Sequence, residues 1–203
     1  MTISTKLHPF MYNFEIDTIH TILRKHRPMK VFEYGSGYST IEFPNYMRFN
    51  YQPEIWDSLE HEKLWYEEIV KIDKQPFVHI YLCDHSGINP PMKKWKSHCW
   101  RDYIEFPLSL NRKYDFILVD GRSRRRCLHM ASTLLNLGGF VILHDAQRKH
   151  YHEGFTAFKY GRQLCTRLWI GSQDHELSNE YLFGVTDFKI DESKKKSRKV
   201  KLR

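Results

Sequence analysis

No stretch of about 18 consecutive apolar residues occurs in the chain, so no helical membrane span is expected. The first residues, Met1 to Lys6, lack the apolar core of a secretory signal. Cysteine is sparse, and Cys83, Cys99, Cys127 and Cys165 form no Cys-x-x-Cys pair. That spacing argues against zinc ribbons and disulfide frameworks, and for reduced thiols in a cytoplasmic compartment. Acid is in deficit, with a net charge of +8, but the surplus is local. Residues 189–203 hold eight Lys or Arg against Asp191 and Glu192, which leaves a surplus of only two charges on residues 1–188. A Lys/Arg/Ser run without apolar periodicity is expected to be a disordered tail. The expected organisation is one folded domain over 1–188 and a basic tail over 189–203. The near-neutral body argues against nucleic acid as the partner of the fold.

What is present alternates between two periods. Tyr12, Ile16, Ile19, Ile22 and Leu23 recur at helical spacing over 11–26, and Lys30–Tyr34 then reads as a short buried strand. Ser39 opens a helix in which Pro44 limits regularity. Ile55–Glu60 reads as a strand, Glu62–Ile72 as a helix and Phe77–Cys83 as a third strand. Tyr114–Val119 is a strand, Ser123–Asn136 a helix stopped by Leu137-Gly138-Gly139, and Phe140–Leu143 a strand. Cys165–Ile170 and Tyr181–Thr186 are expected to pair as a final antiparallel hairpin. Residues 84–113, with Trp95 and Trp100, show no period and are long enough for a substrate-binding loop or lid. The whole predicts an α/β fold: a mostly parallel seven-stranded sheet with helices on both faces and a terminal antiparallel hairpin.

Ligands of such sheets bind at the carboxyl ends of the strands. The polar residues there are Glu33, Glu60, Asp84, Asp120 and His144-Asp145, an acid at each of five consecutive tips. After Glu33 comes Tyr34-Gly35-Ser36-Gly37, where the glycines allow a sharp turn and a close backbone approach. The helix start at Ser39-Thr40 then offers unpaired N–H groups.

This pattern resembles the class I S-adenosylmethionine-dependent methyltransferases over roughly residues 28–188, a Rossmann-like fold. Glu33-Tyr34-Gly35-Ser36-Gly37 stands at the superfamily's first motif, which cradles the methionine part of the cofactor. Ser39 and Thr40 follow it. Glu60, 23 residues past Gly37, matches the acid that accepts hydrogen bonds from the ribose hydroxyls, with His61 beside it. Asp84 matches the position that contacts the adenine amino group, and Asp120 ends the next strand of the cofactor site. Position 40 is threonine, so the third glycine of a dinucleotide fingerprint is missing, which favours the sulfonium cofactor. Val119-Asp120-Gly121-Arg122 and His144-Asp145-Ala146-Gln147-Arg148 are locally similar to the sugar and polysaccharide O-methyltransferases of the glucuronoxylan type. Ala146 stands where catechol-type enzymes carry an amide.

The resemblance implies O-methylation of a carbohydrate hydroxyl. Transfer needs an aligned acceptor oxygen and a group that takes its proton. His144 is the expected base, oriented by Asp145 or Asp120, and these two carboxylates could instead hold a divalent metal ion. Arg122, Arg124, Arg125 and Arg126 crowd a helix start, where the dipole disfavours cations, and suggest an anionic or hydroxyl-rich ligand. Expected substrate contacts are Arg122, Arg125 and Arg148, with Trp95 and Trp100 stacking on a sugar face. The competing readings are a phenol-directed O-methyltransferase, a nucleic-acid methyltransferase and a non-catalytic subunit of the same fold.

Overall fold

The computed structural model describes residues 9–85 and 100–193. Helix α1 (Asn13–His26) buries Ile16, Ile19, Ile22 and Leu23 of the expected stripe, together with Phe14, and ends at Arg27 in the left-handed region. Strands β1 (Lys30–Tyr34) and β2 (Ile55–Glu60) have the expected bounds, and β3 (Val78–Leu82) follows α3 (Lys63–Val70). Between β1 and β2, α2 (Ser39–Asn50) runs unbroken through Pro44. The burial of Phe43, Pro44 and Met47 offsets the missing backbone hydrogen bond. Strand β4 (Tyr114–Val119) leads into α5 (Arg124–Leu134) and β5 (Leu135–His144). A 3-10 segment (Lys149–Ala157), β6 (Tyr160–Gln163), β7 (Leu168–Ser172) and the short α6 (Asn179–Phe183) complete the chain, and α4 (Arg101–Ser109) precedes β4.

The seven strands form one sheet in the order β3-β2-β1-β4-β5-β7-β6. β1 to β5 pair in parallel, and β7 lies antiparallel to both β5 and β6. Alternation along each strand feeds two cores. Val31, Trp56, Phe116, Leu118 and Ile142 pack with α1, α2 and α6 on one face. Phe32, Tyr34, Ile117, Val119, Val141 and Leu143 pack with α4, α5 and the 3-10 segment on the other. Strands buried on both faces need continuous apolar runs, which β4 and β5 supply. β2 is also buried throughout, so its polar residues require partners inside the protein. Among the described residues no helix is long and apolar enough to cross a membrane.

Three expectations are corrected. The hairpin is built from β6 and β7, whereas Tyr181–Thr186 does not form a strand. Ser178 Oγ accepts the Tyr181 N–H, and Gly184 caps the end with φ +76°, so cap chemistry closes a helical turn where aromatic composition suggested a strand. Leu137-Gly138-Gly139 does not stop a helix. α5 ends at Leu134, and these residues bulge within β5, where the register with β4 shifts between Tyr114 and Phe116. In the expected loop over 84–113, residues 101–109 form α4, with Tyr103, Ile104 and Pro107 buried. Residues 86–99, Trp95 included, lie outside the described residues.

Contacts with the core continue past residue 188. Ile190 packs against the core, and Glu192 accepts hydrogen bonds from the Thr166 N–H (3.1 Å) and hydroxyl (2.5 Å). Residues 194–203 lie outside the described residues. A chain ended at Phe188 should therefore melt roughly 2–6 °C below one ended at Ser193. Thermal unfolding of the two truncations checks this, and equal midpoints would place 189–193 outside the fold.

Candidate active site

Strand order reverses between β1 and β4, and a cavity of about 460 Å³ opens at the carboxyl ends of the strands there. Its lining comes from Gly35–Ser39 after β1, Glu60–Glu62 at β2, Asp120–Arg122 and Arg124 after β4, and His144-Asp145 at β5. Pro9, Phe10, Trp65 and Arg167 complete it.

Two loops meet closely on one side. Gly35 has φ +93°, and a Cβ there would lie 2.5 Å from the Gly121 Cα. A Cβ on Gly121 would lie 2.1 Å from the Tyr103 hydroxyl oxygen. Both positions therefore exclude any side chain, and the turn after β1 touches the turn after β4 backbone to backbone. The Gly35 N–H donates to Leu59 O and the Asp120 N–H to Tyr34 O, which continues the ladder into the cavity wall.

Glu33 does not line this cavity. It is fully buried and accepts hydrogen bonds from Ser39 Oγ (2.5 Å), Thr40 Oγ1 (2.6 Å), Ser58 Oγ (2.8 Å) and Trp56 Nε1 (3.1 Å). Thr40 Oγ1 in turn accepts the Gly37 N–H at 2.9 Å. The carboxyl group thus fixes the turn and the start of α2 from beneath. Tyr34 is also internal, donating to Ile104 O at 2.8 Å, and Thr40 is buried without lining the cavity. Gly35, Ser36, Gly37 and Ser39 do line it.

Glu60 is buried at the cavity wall. Its Oε1 accepts the backbone N–H groups of His61 and Glu62, both at 2.8 Å, and lies 2.7 Å from His61 Nδ1. Its Oε2 has no hydrogen bond among the described residues. The arrangement is a fixed carboxylate with one oxygen left to accept from a ligand. His61 Nε2 accepts from Arg122 Nε at 3.3 Å, so Arg122 reaches the same wall. Asp84 is exposed beyond β3 and does not line the cavity. Trp100 is buried against His61, His85 and Tyr103, behind the wall and not in it.

The opposite wall is a charge network. Asp120 Oδ1 meets His144 Nδ1 and Arg124 Nη2, each at 2.9 Å, while Oδ2 has no hydrogen bond among the described residues. Burial would raise the Asp120 pKa, but the charges of His144 and then Arg124 outweigh it and hold it below its ordinary value. His144 is buried, and its Nε2 lies 3.5 Å from Glu15 Oε1. Burial alone would drive the proton off this ring; Asp120 and Glu15 prevail and push its pKa up to about 9. Asp145, in the left-handed region at φ +59°, is met by Arg124 (3.3 Å), Arg148 (2.9 Å) and Arg167 (2.5 Å). Burial opposes its ionisation, yet His144, Arg167 and Arg124 lower its pKa to about 2.

This geometry changes three expected roles. His144 has Nδ1 engaged by Asp120 and Nε2 sealed from solvent against Glu15, so neither ring nitrogen is placed to act as a base toward the cavity. Asp120 and Asp145 do not fit a divalent metal ion, because guanidinium groups already surround Asp145 and a cation pair faces Asp120. Among the described residues no group of three or more His, Cys, Asp or Glu is arranged to hold a metal. Arg125 turns outward to Glu153 and Arg148 is half exposed on the far side of Asp145; neither lines the cavity, whereas Arg122 does.

The cavity's own cations are Arg122, Arg124 and Arg167. Arg124 also donates to Gly121 O and His144 O, which ties the ends of β4 and β5 together. Helical spacing selects Arg124 over Arg125 once Ser123, at φ +51°, sets where α5 begins. Arg167, on the β6–β7 turn, carried no signal in the sequence. Glu15 did carry one, an acid on the apolar stripe of Tyr12, Ile19 and Ile22. Phe10, 63% exposed, Tyr38 and Trp65 form an aromatic rim, with ring centroids 6.3 and 5.6 Å apart in succession.

No protein-family model and no curated protein sequence matches the chain. Solved structures match its fold. A methyltransferase-like protein from Silicibacter pomeroyi aligns at 18% identity and TM-score 0.57, covering 88% of this chain and 94% of that one. An O-methyltransferase from Bacillus cereus in complex with SAH aligns at 13% identity and TM-score 0.54, covering 81% and 82%. A spermidine synthase from Thermotoga maritima aligns at 12% identity and TM-score 0.55, covering 89% of this chain and 67% of its own. The chain therefore has the Rossmann-like fold of these methyltransferase neighbours, a seven-stranded mixed sheet.

The buried Glu33 makes stability depend on pH in a defined sense. Burial raises its pKa from 4.5 to about 7, against the four hydrogen bonds that lower it. The folded state then holds a proton that the unfolded chain releases first, so this contribution is full below pH 4.5 and is lost as pH rises through 7. Between pH 4.5 and 7 the wild-type chain should lose on the order of 2–3 kcal/mol relative to a Glu33→Gln variant. Urea unfolding of both across that range tests it, and parallel curves would mean that Glu33 stays ionised when folded.

Proposed function

We propose that the chain is an S-adenosylmethionine-dependent O-methyltransferase acting on a carbohydrate hydroxyl. The observation that carries the reading is a pair of carboxylates, Glu60 and Asp120, lining one cavity. In each, one oxygen is held by protein donors and the other is left for a ligand. The cavity volume is that of a small-molecule site. Glu60 suits the ribose diol of a nucleoside cofactor, since a carboxylate with a fixed orientation can accept from hydroxyls. Gly35, Ser36, Gly37 and Ser39 suit its amino-acid part, with Gly37 leaving room at the floor. When bound, S-adenosylmethionine supplies the electrophilic methyl group.

The protein's part is to bind, align and accept a proton. Asp120 is the group placed to take the acceptor's proton: it lines the cavity, is ionised, and is steered by His144 and Arg124. A carboxylate of low pKa suffices, because the hydroxyl proton becomes strongly acidic as its oxygen gains the methyl group. Arg122 and the aromatic rim of Phe10, Tyr38 and Trp65 suit a sugar, with polar hydroxyls toward the charged wall and a C–H face on a ring. The local likeness of Val119–Arg122 and His144–Arg148 to glucuronoxylan-type enzymes supports the same acceptor. A phenolic acceptor is the second reading, favoured by the exposure of Phe10.

With labelled cofactor and parallel panels of monosaccharide glycosides and catechols, methyl transfer to a glycoside is expected. Transfer to catechols alone would replace the sugar reading with the phenolic one. Glu60→Ala should weaken cofactor binding about 10- to 100-fold by calorimetry. Asp120→Asn should leave that affinity within about threefold and lower kcat by about 10²- to 10⁴-fold. An Asp120→Asn enzyme with normal kcat would remove Asp120 from the proton-transfer role.

A further inference from the structure

Glu15 is an acid of the charged wall that comes from outside the strand ends, on the first turn of α1. It is fully buried. Its Oε2 accepts the Tyr12 N–H at 2.5 Å, closing the turn that carries Pro9 and Phe10 to the cavity rim. Its Oε1 points the other way, 3.5 Å from His144 Nε2 and 3.6 Å from Arg167 Nε. Glu15 Oε1 and His144 Nε2 are both sealed from solvent and make no hydrogen bond, so what they offer one another is charge. Such an acid is costly to bury and is compensated only by the cations it faces. An apolar residue would satisfy the stripe of α1 without that cost.

We propose that Glu15 is a positioning residue for the proton-accepting wall, holding the His144 ring from behind so that Asp120 keeps its orientation toward the cavity. This rests on the role given above to Asp120. The groups against the His144 ring are Glu15 from α1 and Asp120 from β4; around them Arg124 from α5 pairs with Asp120 and the adjacent Asp145, and Arg167 from the β6–β7 turn pairs with Glu15 and Asp145. A ring with a carboxylate at each nitrogen is fixed in one plane and carries both protons, whereas a ring with one such partner can rotate or lose a proton. A ring held at both ends presents Nδ1–H to Asp120 Oδ1 at all times and leaves Oδ2 for the acceptor. Through Tyr12, the same glutamate joins this arrangement to the rim at Phe10.

The test uses the full chain and Glu15→Gln, which can still accept the Tyr12 N–H but removes the charge facing His144. Long-range proton–nitrogen spectra report the His144 ring, assigned by its loss in His144→Asn. In the wild type both ring nitrogens should be protonated at pH 7.5. In Glu15→Gln the loss of the second proton should move down by about one pH unit or more. Glu15→Asp, which restores the charge, should recover at least part of that shift. In turnover, Glu15→Gln should lower kcat about tenfold or more with cofactor affinity unchanged. A wild-type His144 that is neutral at pH 7.5 overturns the proposal without any variant, and so does a Glu15→Gln chain of lower melting point whose His144 titrates as in the wild type. The ring signal needs neither cofactor nor acceptor. Absence of methyl transfer with the expected His144 behaviour therefore counts against the methyltransferase reading and not against the placement of Glu15.

Discussion

A carboxylate can stay ionised inside a protein only where neighbouring groups replace the hydrogen bonds and counter-charge of water. The strand ends of this sheet gather Glu33, Glu60 and Asp145 in buried positions and Asp120 at the cavity wall, with Glu15 pressed in from α1. The surrounding loops are shaped by how each is compensated. Hydroxyls and an indole N–H surround Glu33 but do not outweigh its burial, which raises its pKa to about 7; backbone amides and His61 hold Glu60, and cations hold Asp120 and Asp145. These requirements, more than the apolar cores, decide where the turns after β1, β2, β4 and β5 lie relative to one another.

The manner of compensation also separates structural acids from chemical ones. Glu33 and Asp145 have their oxygens engaged on all sides, and both serve to lock turns. Glu60 and Asp120 are each engaged on one oxygen and line the cavity with the other. Arg124 links the two halves of the β4–β5 wall by donating to Gly121 O and His144 O while pairing with both aspartates. The backbone contact of Gly35 with Gly121 then fixes the distance between the turn after β1 and this wall, because no side chain can enter between them. The cavity is therefore preorganised on every side except the rim at Phe10, where the wall is an exposed ring on the segment before α1.

Much of this was legible in the sequence for a local reason. Each of the first five strands ends in an acid followed by turn chemistry, and both signals lie within a few residues. Alternation could also have shown that Val31 and Glu33 face one way and Phe32 and Tyr34 the other. That pattern makes Glu33 an interior residue, whereas motif position alone made it a ligand contact. The roles of His144 and Asp145 were illegible because they depend on Glu15 and Arg167, residues 129 and 22 positions away from their partners. Only the fold of the β6–β7 turn brings Arg167 to Asp145. Short elements were the other blind spot. α6 owes its form to Ser178 and Gly184 at its ends, and its Tyr-Leu-Phe interior carries the opposite propensity.

The central claim is that the cavity at the reversal of strand order holds an adenosyl sulfonium or its demethylated product. Calorimetric titration of the full chain with S-adenosylhomocysteine tests it most directly. The account predicts a saturable one-to-one heat that is lost when the oxygens of Glu60 are removed. A chain that is folded by circular dichroism yet gives no heat with either S-adenosylhomocysteine or S-adenosylmethionine would contradict it.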